Sequence, residues 1–180
     1  MHALVNGIGE LRAEWQSGAY QNVLFAQSGL EIATNSEIVL VFDEQKYSYN
    51  QPYRGGTTFN KHLFRVIGDL SAKGDEFDCA VHIDRMPETR AWVRNTSKEP
   101  HSFWLQTASD KFYPDFLVLL QDGRYLAVEF KGEPYITNDD SKEKIVIGEQ
   151  WAERSGGKCA FLMVDRSEFH QISQAAAQAS

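Results

Sequence analysis

Residues 112–132, FYPDFLVLLQDGRYLAVEFKG, restrict this chain more than any other stretch. Phe116 to Leu120 is an unbroken apolar run of strand length. Asp122-Gly123 is a hairpin signal. Beyond it the pattern alternates. Leu126, Val128 and Phe130 share one face, and Tyr125, Ala127, Glu129 and Lys131 share the other. Two strands joined by a tight turn are expected, and the turn decides which residues meet. A two-residue loop at Asp122-Gly123 pairs Gln121 with Arg124 and sets Asp115 opposite Phe130, on the wrong face. A three-residue loop, Gln121-Asp122-Gly123, pairs Leu120 with Arg124 and sets Asp115 opposite Glu129. Gly123 then takes the left-handed position of a bulge, which glycine favours. A bend at the start of the first strand would also rescue the first register.

Charged residues on a strand that is otherwise apolar need a reason. By itself an E-x-K pair is an ordinary surface ion pair, worth about 0–1 kcal/mol. Here Asp115 follows Pro114 at the entry of the preceding strand, the hairpin carries that strand beside Glu129, and Gly132 ends the second strand directly after Lys131. The chemistry of phosphodiester cleavage uses this grouping. Two carboxylates bind a hard cation such as Mg²⁺, which keeps most of its remaining sites for water and phosphate oxygen. The metal polarises the phosphoryl group and helps generate hydroxide. An ammonium beside it orients the water and offsets charge in the transition state.

The flanking segments supply the rest of an α/β pattern. Residues 8–16 read as a short helix, and VLFA (23–26) and EIVLVFD (37–43) as strands. Lys46 to Thr58 is rich in Tyr, Pro and Gly and reads as a loop. The spacing of Phe59, Leu63, Val66, Ile67 and Leu70 predicts a helix over 59–70. A second helix is expected from Asp75, a candidate N-cap, with Phe77, Ala80, Val81 and Asp84 at helical spacing and Pro87 limiting it. AWVR (91–94) and SFWL (102–105) read as strands around the turn cluster NTSKEP. A third helix, capped at Asp139, Asp140 or Ser141, carries Lys144, Ile147 and Trp151 on one stripe and stops at Gly156-Gly157. CAFLMV (159–164) is a buried strand after a crossover, so it should lie parallel to its neighbour. The core order is helix, several antiparallel strands, helix, strand. The division expected is a β-rich N-terminal extension over 1–58 packed on the core, a core over 59–170, and a tail over 171–180.

Composition excludes several alternatives. The 180 residues suit one domain, or one with a small satellite. No apolar run approaches the roughly 20 residues that span a bilayer. The N-terminus lacks a basic flank followed by an apolar stretch, so it is not a secretory signal. Cys79 and Cys159 have no Cys or His at metal-ligand spacing and read as reduced thiols, which fits a cytoplasmic setting. His2, His62, His82, His101 and His170 form no H-x-H or H-E-x-x-H pattern. EIVLVFDE imitates a Walker B strand, yet the chain has no G-x-x-x-x-G-K-[ST] loop, so Asp43 and Glu44 are read as strand-end charges. Net charge is −7, which argues against autonomous tight DNA binding, because phosphate contacts dominate such affinity. It does not oppose metal-dependent cleavage, where bound cations reverse the local field.

Tyr-Pro-Asp at 113–115, a short hairpin, and Glu-Phe-Lys-Gly at 129–132 together resemble the PD-(D/E)XK nuclease superfamily. More narrowly, the chain resembles the C-terminal endonuclease domain of type III restriction enzymes and related helicase-nucleases. In that family an apolar helix and a Trp-Val-Arg-Asn-like stretch precede the Pro-Asp strand, as residues 75–95 do here. The resemblance spans about residues 59–165. It implies a restriction-endonuclease-like α/β core in α-β-β-β-α-β order, with a mixed central sheet flanked by helices. It implies that Asp115 and Glu129 bind Mg²⁺, with Mn²⁺ as a substitute, that the backbone carbonyl of Phe130 adds a ligand, and that Lys131 serves the attacking water. Many members carry a further acid on the preceding helix. Glu76 matches best, with Asp75 and Asp78 as rivals, and a solvated helix-end carboxylate is the ordinary alternative. Lys144 is placed to reach phosphate or to be a plain surface lysine. The implied partners are double-stranded DNA and a helicase/ATPase motor or modification subunit of a larger complex. Since the chain lacks motor motifs, it is expected to be an isolated nuclease domain or a piece of a longer polypeptide. The rival reading is a catalytically inactive nuclease-like fold that binds DNA or a protein.

Overall fold

The computed structural model describes residues 45–107, 110–132 and 139–178. The expected helix at 8–16, the strands at 23–26 and 37–43, and most of the N-terminal extension lie outside the described residues.

Asp75–Arg85 forms helix α1. Gly74 occupies its N-cap with φ at 108°, so the expected capping role of Asp75 is corrected. Asp75, Glu76 and Asp78 instead lie in the first turn, where the helix dipole favours negative charge. The helix gives way at Met86 to extended backbone, which suits the residue before a proline. Strands β1 (Thr89–Arg94), β2 (Leu105–Gln106), β3 (Lys111–Phe112), β4 (Phe116–Leu120) and β5 (Tyr125–Phe130) follow. Helix α2 (Asp139–Arg154), β6 (Cys159–Val164), a 3₁₀ turn (Arg166–Glu168) and α3 (Phe169–Ala177) complete the described chain. The strand expected at 102–105 reduces to the short β2.

Four strands make a mixed sheet in the order β1-β4-β5-β6, and β2 pairs with β3 apart from it. β1 and β4, and β4 and β5, run antiparallel. β5 and β6 run parallel, joined by α2, as the crossover spacing required. The chain is therefore mixed α/β, with three α-helices among the described residues. No described helix is long and apolar enough to cross a membrane.

The alternation along β5 sorts the core into two layers. Leu126 and Val128 join Cys79, Ala80 and Ile83 of α1, Trp92, and Ile172 and Ala176 of α3 on one side. Ala127 joins Leu105, Phe112, Ile147, Trp151 and Phe161 on the other, under α2. Gly148 lets α2 settle on β6, because a Cβ there would come within 2.3 Å of the Phe161 ring. Residues expected to be a tail thus form most of α3. Ile172 and Ala176, four apart, bury the same face.

Residues 59–70 are not helical. Their polar backbone groups are bound elsewhere. The N–H groups of Asn60 and Lys61 donate to the Asp84 carboxylate at 3.0 and 2.8 Å. Lys61 carbonyl and Leu63 N–H exchange bonds of 2.9 Å with Trp92. Further on, Ile67 and Asp69 bond back to Tyr53 and Gln51. Of the expected stripe only Ile67 and Leu70 are buried; Phe59 and Leu63 are half-buried, Val66 is exposed, and Phe64, outside the stripe, is buried in its place, so the spacing predicted neither the helix nor the whole buried face.

Candidate active site

β4 and β5 are joined through Gly123, whose φ is +90°, and Leu120 N–H donates to Arg124 carbonyl at 2.8 Å. This is the three-residue loop with its glycine bulge. The pairs Phe116 with Val128 and Leu117 with Ala127 follow from it. One further step in the same register sets Asp115 across from Glu129. Arg124 stiffens the turn, bonding Asp122 at 2.7 Å and the Ala176 carbonyl at 2.8 Å.

At this end of the sheet β1, β5 and β6 finish and β4 begins. Asn95 fixes the entry to β4: its side-chain amide donates to the Pro114 carbonyl at 2.7 Å and its N–H to the Asp115 carbonyl at 2.9 Å. Asp115 Oδ2 accepts the Phe130 N–H at 2.8 Å. In a strand the N–H and C=O of one residue point to the same edge, so Phe130 turns its carbonyl toward Asp115 as well. Lys131 N–H donates to the Val164 carbonyl at 2.9 Å, which anchors the strand end on β6.

Glu129 is 6 % exposed, and its Oε2 is buried without a hydrogen-bond partner. Burial, reinforced by the neighbouring Asp115 charge, pushes its carboxyl up to about 9. Lys131 Nζ stands 3.7 Å from Glu129 Oε1, close enough to attract but too far for a hydrogen bond. The ion pair and the raised carboxyl point opposite ways, and desolvation prevails over the pull of the Lys131 and Lys144 ammonium groups. The site is short of positive charge. The charge of Lys144, on α2, also acts on Glu129 and offsets part of the rise in the Glu129 pKa. Lys144 is mostly buried, pairs with Asp140 at 2.7 Å and lies over the Phe112 ring, so it is not a plain surface lysine.

The three acids in the first turn of α1 divide. Asp75 and Asp78 pair with Arg166 at 3.0 and 3.1 Å. Glu76 alone turns to the site, where Arg94 Nη2 meets its Oε1 at 3.0 Å. Burial, only partly offset by Arg94, raises the Glu76 carboxyl. Arg94 also grips Asp115, with Nη1 at 2.9 Å from Oδ1 and 2.7 Å from the main-chain oxygen. The structure therefore brings together Asp115, Glu129, Lys131 and Glu76, and adds Arg94, to which sequence reasoning assigned no role. Its signal was an arginine closing an apolar strand.

Among the described residues no three His, Cys, Asp or Glu side chains form a ready metal cage. The residues present nevertheless fit a single hard cation. Glu129 offers an unpartnered buried oxygen, the Asp115 carboxyl lies within hydrogen-bonding reach of the Glu129 and Glu76 carboxyls, and the Phe130 carbonyl faces the same edge. Comparison with family models, curated proteins and solved structures gave no match for this chain.

Proposed function

We propose that the chain is a Mg²⁺-dependent endonuclease domain that hydrolyses DNA phosphodiester bonds, built on a restriction-endonuclease-like core. On this reading it is the nuclease part of a helicase-nuclease of the type III restriction kind. The observation that carries the reading is the register that sets Asp115 across from Glu129, with a buried, unpartnered carboxylate oxygen and Lys131 beside it.

Asp115, Glu129 and the Phe130 carbonyl would hold the ion. When bound, it supplies Lewis acidity toward a phosphoryl oxygen and toward water. The remaining work belongs to the chain. Lys131 orients the attacking water and offsets negative charge as it builds on the phosphate. The Phe130 N–H and Arg94 hold the Asp115 carboxylate in one orientation, and Glu76 holds Arg94. Asn95 fixes the peptide that carries Asp115. With a net charge of −7, the domain depends on a motor or modification subunit to deliver duplex DNA.

Supercoiled plasmid incubated with Mg²⁺ or Mn²⁺ tests the reading. The wild type should nick or linearise it, and Asp115→Ala should not. Equal cleavage by both proteins would refute the site. A wild type that binds DNA yet never cuts it would leave the inactive nuclease-like module.

A further inference from the structure

Arg94 is 9 % exposed and sits where it cannot be a surface accessory. Its guanidinium lies over the Phe116 ring, 5.1 Å from the centroid. Its backbone is held on both sides: the N–H donates to His62 Nε2 at 3.2 Å, and the carbonyl accepts the Tyr47 hydroxyl at 2.9 Å. From that fixed base Nη1 and Nη2 reach Asp115 Oδ1 and Glu76 Oε1 at 2.9 and 3.0 Å. The planar fork thus clamps the acid of α1 and the acid of the Pro-Asp step, whose carboxyls also lie within hydrogen-bonding reach of one another. A second divalent ion shared by those two acids would compete with the fork for their oxygens.

We infer that Arg94 is a built-in cation that takes the place of a second metal, so that the site holds one divalent ion, between Asp115 and Glu129. The inference rests on the nuclease reading given above and specifies its metal stoichiometry. Glu76 then serves as the anchor of Arg94 and not as a metal ligand.

The charges agree. Glu76, Asp115 and Glu129 supply three negative charges when ionised, Arg94 and Lys131 supply two positive ones, and Lys144 is offset by its partner Asp140. One divalent ion turns this net single negative charge into a single positive one. A second would pile positive charge beside a guanidinium that cannot lose its proton. To admit it, Arg94 would have to leave two carboxylates, two main-chain carbonyls and an aromatic face. Lysine in its place could not span both acids, because an ammonium is a point charge and the two acids are clamped by a fork.

The test is a count of bound Mn²⁺ per full chain, by electron paramagnetic resonance of free Mn²⁺ and by calorimetry. The wild type should bind one ion. Glu76→Gln should still bind one, because Asp115, Glu129 and the Phe130 carbonyl remain, with affinity lowered by no more than about 100-fold, as on loss of a partner that only orients a ligand. Arg94→Met, checked for folding by circular dichroism, should gain a second, weaker ion that the Arg94→Met, Glu76→Gln double variant loses again. Two ions in the wild type would overturn the inference and leave the nuclease site standing. A loss of affinity beyond about 100-fold in Glu76→Gln would also overturn it, since that exceeds what removing a partner that only orients a ligand costs. No ion bound by the wild type would defeat the underlying site itself. The wild-type and Glu76→Gln counts decide the matter even if Arg94→Met does not fold.

Discussion

The indole N–H of Trp92 donates to the Asp84 carboxylate at 2.8 Å, inside the layer between α1 and the sheet. The same carboxylate receives the backbone N–H groups of Asn60 and Lys61. One acid on α1 therefore holds both β1 and the irregular 59–70 segment. Asp84→Ala would leave three donors without their acceptor. It should destabilise the protein by about 3 kcal/mol, since an unsatisfied buried group costs roughly 1–3 kcal/mol. Urea unfolding followed by Trp fluorescence measures this. A loss below the error of the fit would show that water replaces the carboxylate freely.

Glu129 makes metal-free stability fall as pH rises. Its folded carboxyl is raised from 4.5 to about 9, so between those values the folded state holds a proton that the unfolded state has released. The contribution is full below pH 4.5 and is lost as pH climbs toward 9. Glu129→Gln, which copies the protonated form, should flatten this slope in EDTA and raise the neutral-pH melting temperature, while abolishing Mn²⁺ binding. Opposite effects of one substitution on stability and on metal binding are the signature to look for.

His62 works from the acid side. Its Nε2 accepts the Arg94 N–H and its Nδ1 meets the Phe64 carbonyl at 2.8 Å, an arrangement that needs the neutral ring. Burial lowers its pKa from 6.5 to about 4. The folded state thus binds fewer protons than the unfolded state in that window, and stability is lost as pH falls from 6.5 toward 4. Histidine proton chemical shifts across that range check it. A ring titrating at its ordinary value would remove the effect.

Lys131 should separate catalysis from binding. Lys131→Ala removes a cation near the ion without removing a ligand, so Mn²⁺ affinity should hold or rise slightly. Plasmid cleavage should fall by about 10² or more, as on loss of one donor to developing charge. Lys131→Arg should not restore the rate, because a planar fork does not occupy an ammonium's position. Wild-type cleavage by Lys131→Ala would reduce the residue to an ion-pair partner.

Gly148→Ala tests the fit of α2 on β6. The new methyl would meet the Phe161 ring, so either the ring turns or the helix lifts. A cost of about 1–3 kcal/mol is expected for such overpacking. Thermal unfolding reads it directly, and an unchanged melting temperature would mean that the ring has room to move.

What could be read from the sequence was local. The β4–β5 hairpin, its glycine and the face shared by Glu129 and Lys131 all follow from neighbours within a few residues. The 59–70 segment was misread because its partners, Gln51, Tyr53, Asp84 and Trp92, come from distant positions, and apolar spacing alone cannot tell a helix from a wrapped strap. Arg94 was missed for the same reason: its role exists only once Glu76 and Asp115, 18 and 21 residues away, converge on it. The alanine-rich end hid the i, i+4 pair of Ile172 and Ala176 behind low complexity.

The hairpin turn lies at the far end of the sheet from Asp115 and Glu129, about 17 Å away for a strand of this length. It touches none of the reacting groups, yet it sets the parity of the two strands. Losing one codon at Asp122 or Gly123 would favour the two-residue turn and slide β4 by one step against β5, turning one carboxylate to the opposite face. Such a lesion would leave every residue of the proposed site in the gene and still take the site apart. Length variation at this turn should therefore be far less tolerated than substitution there.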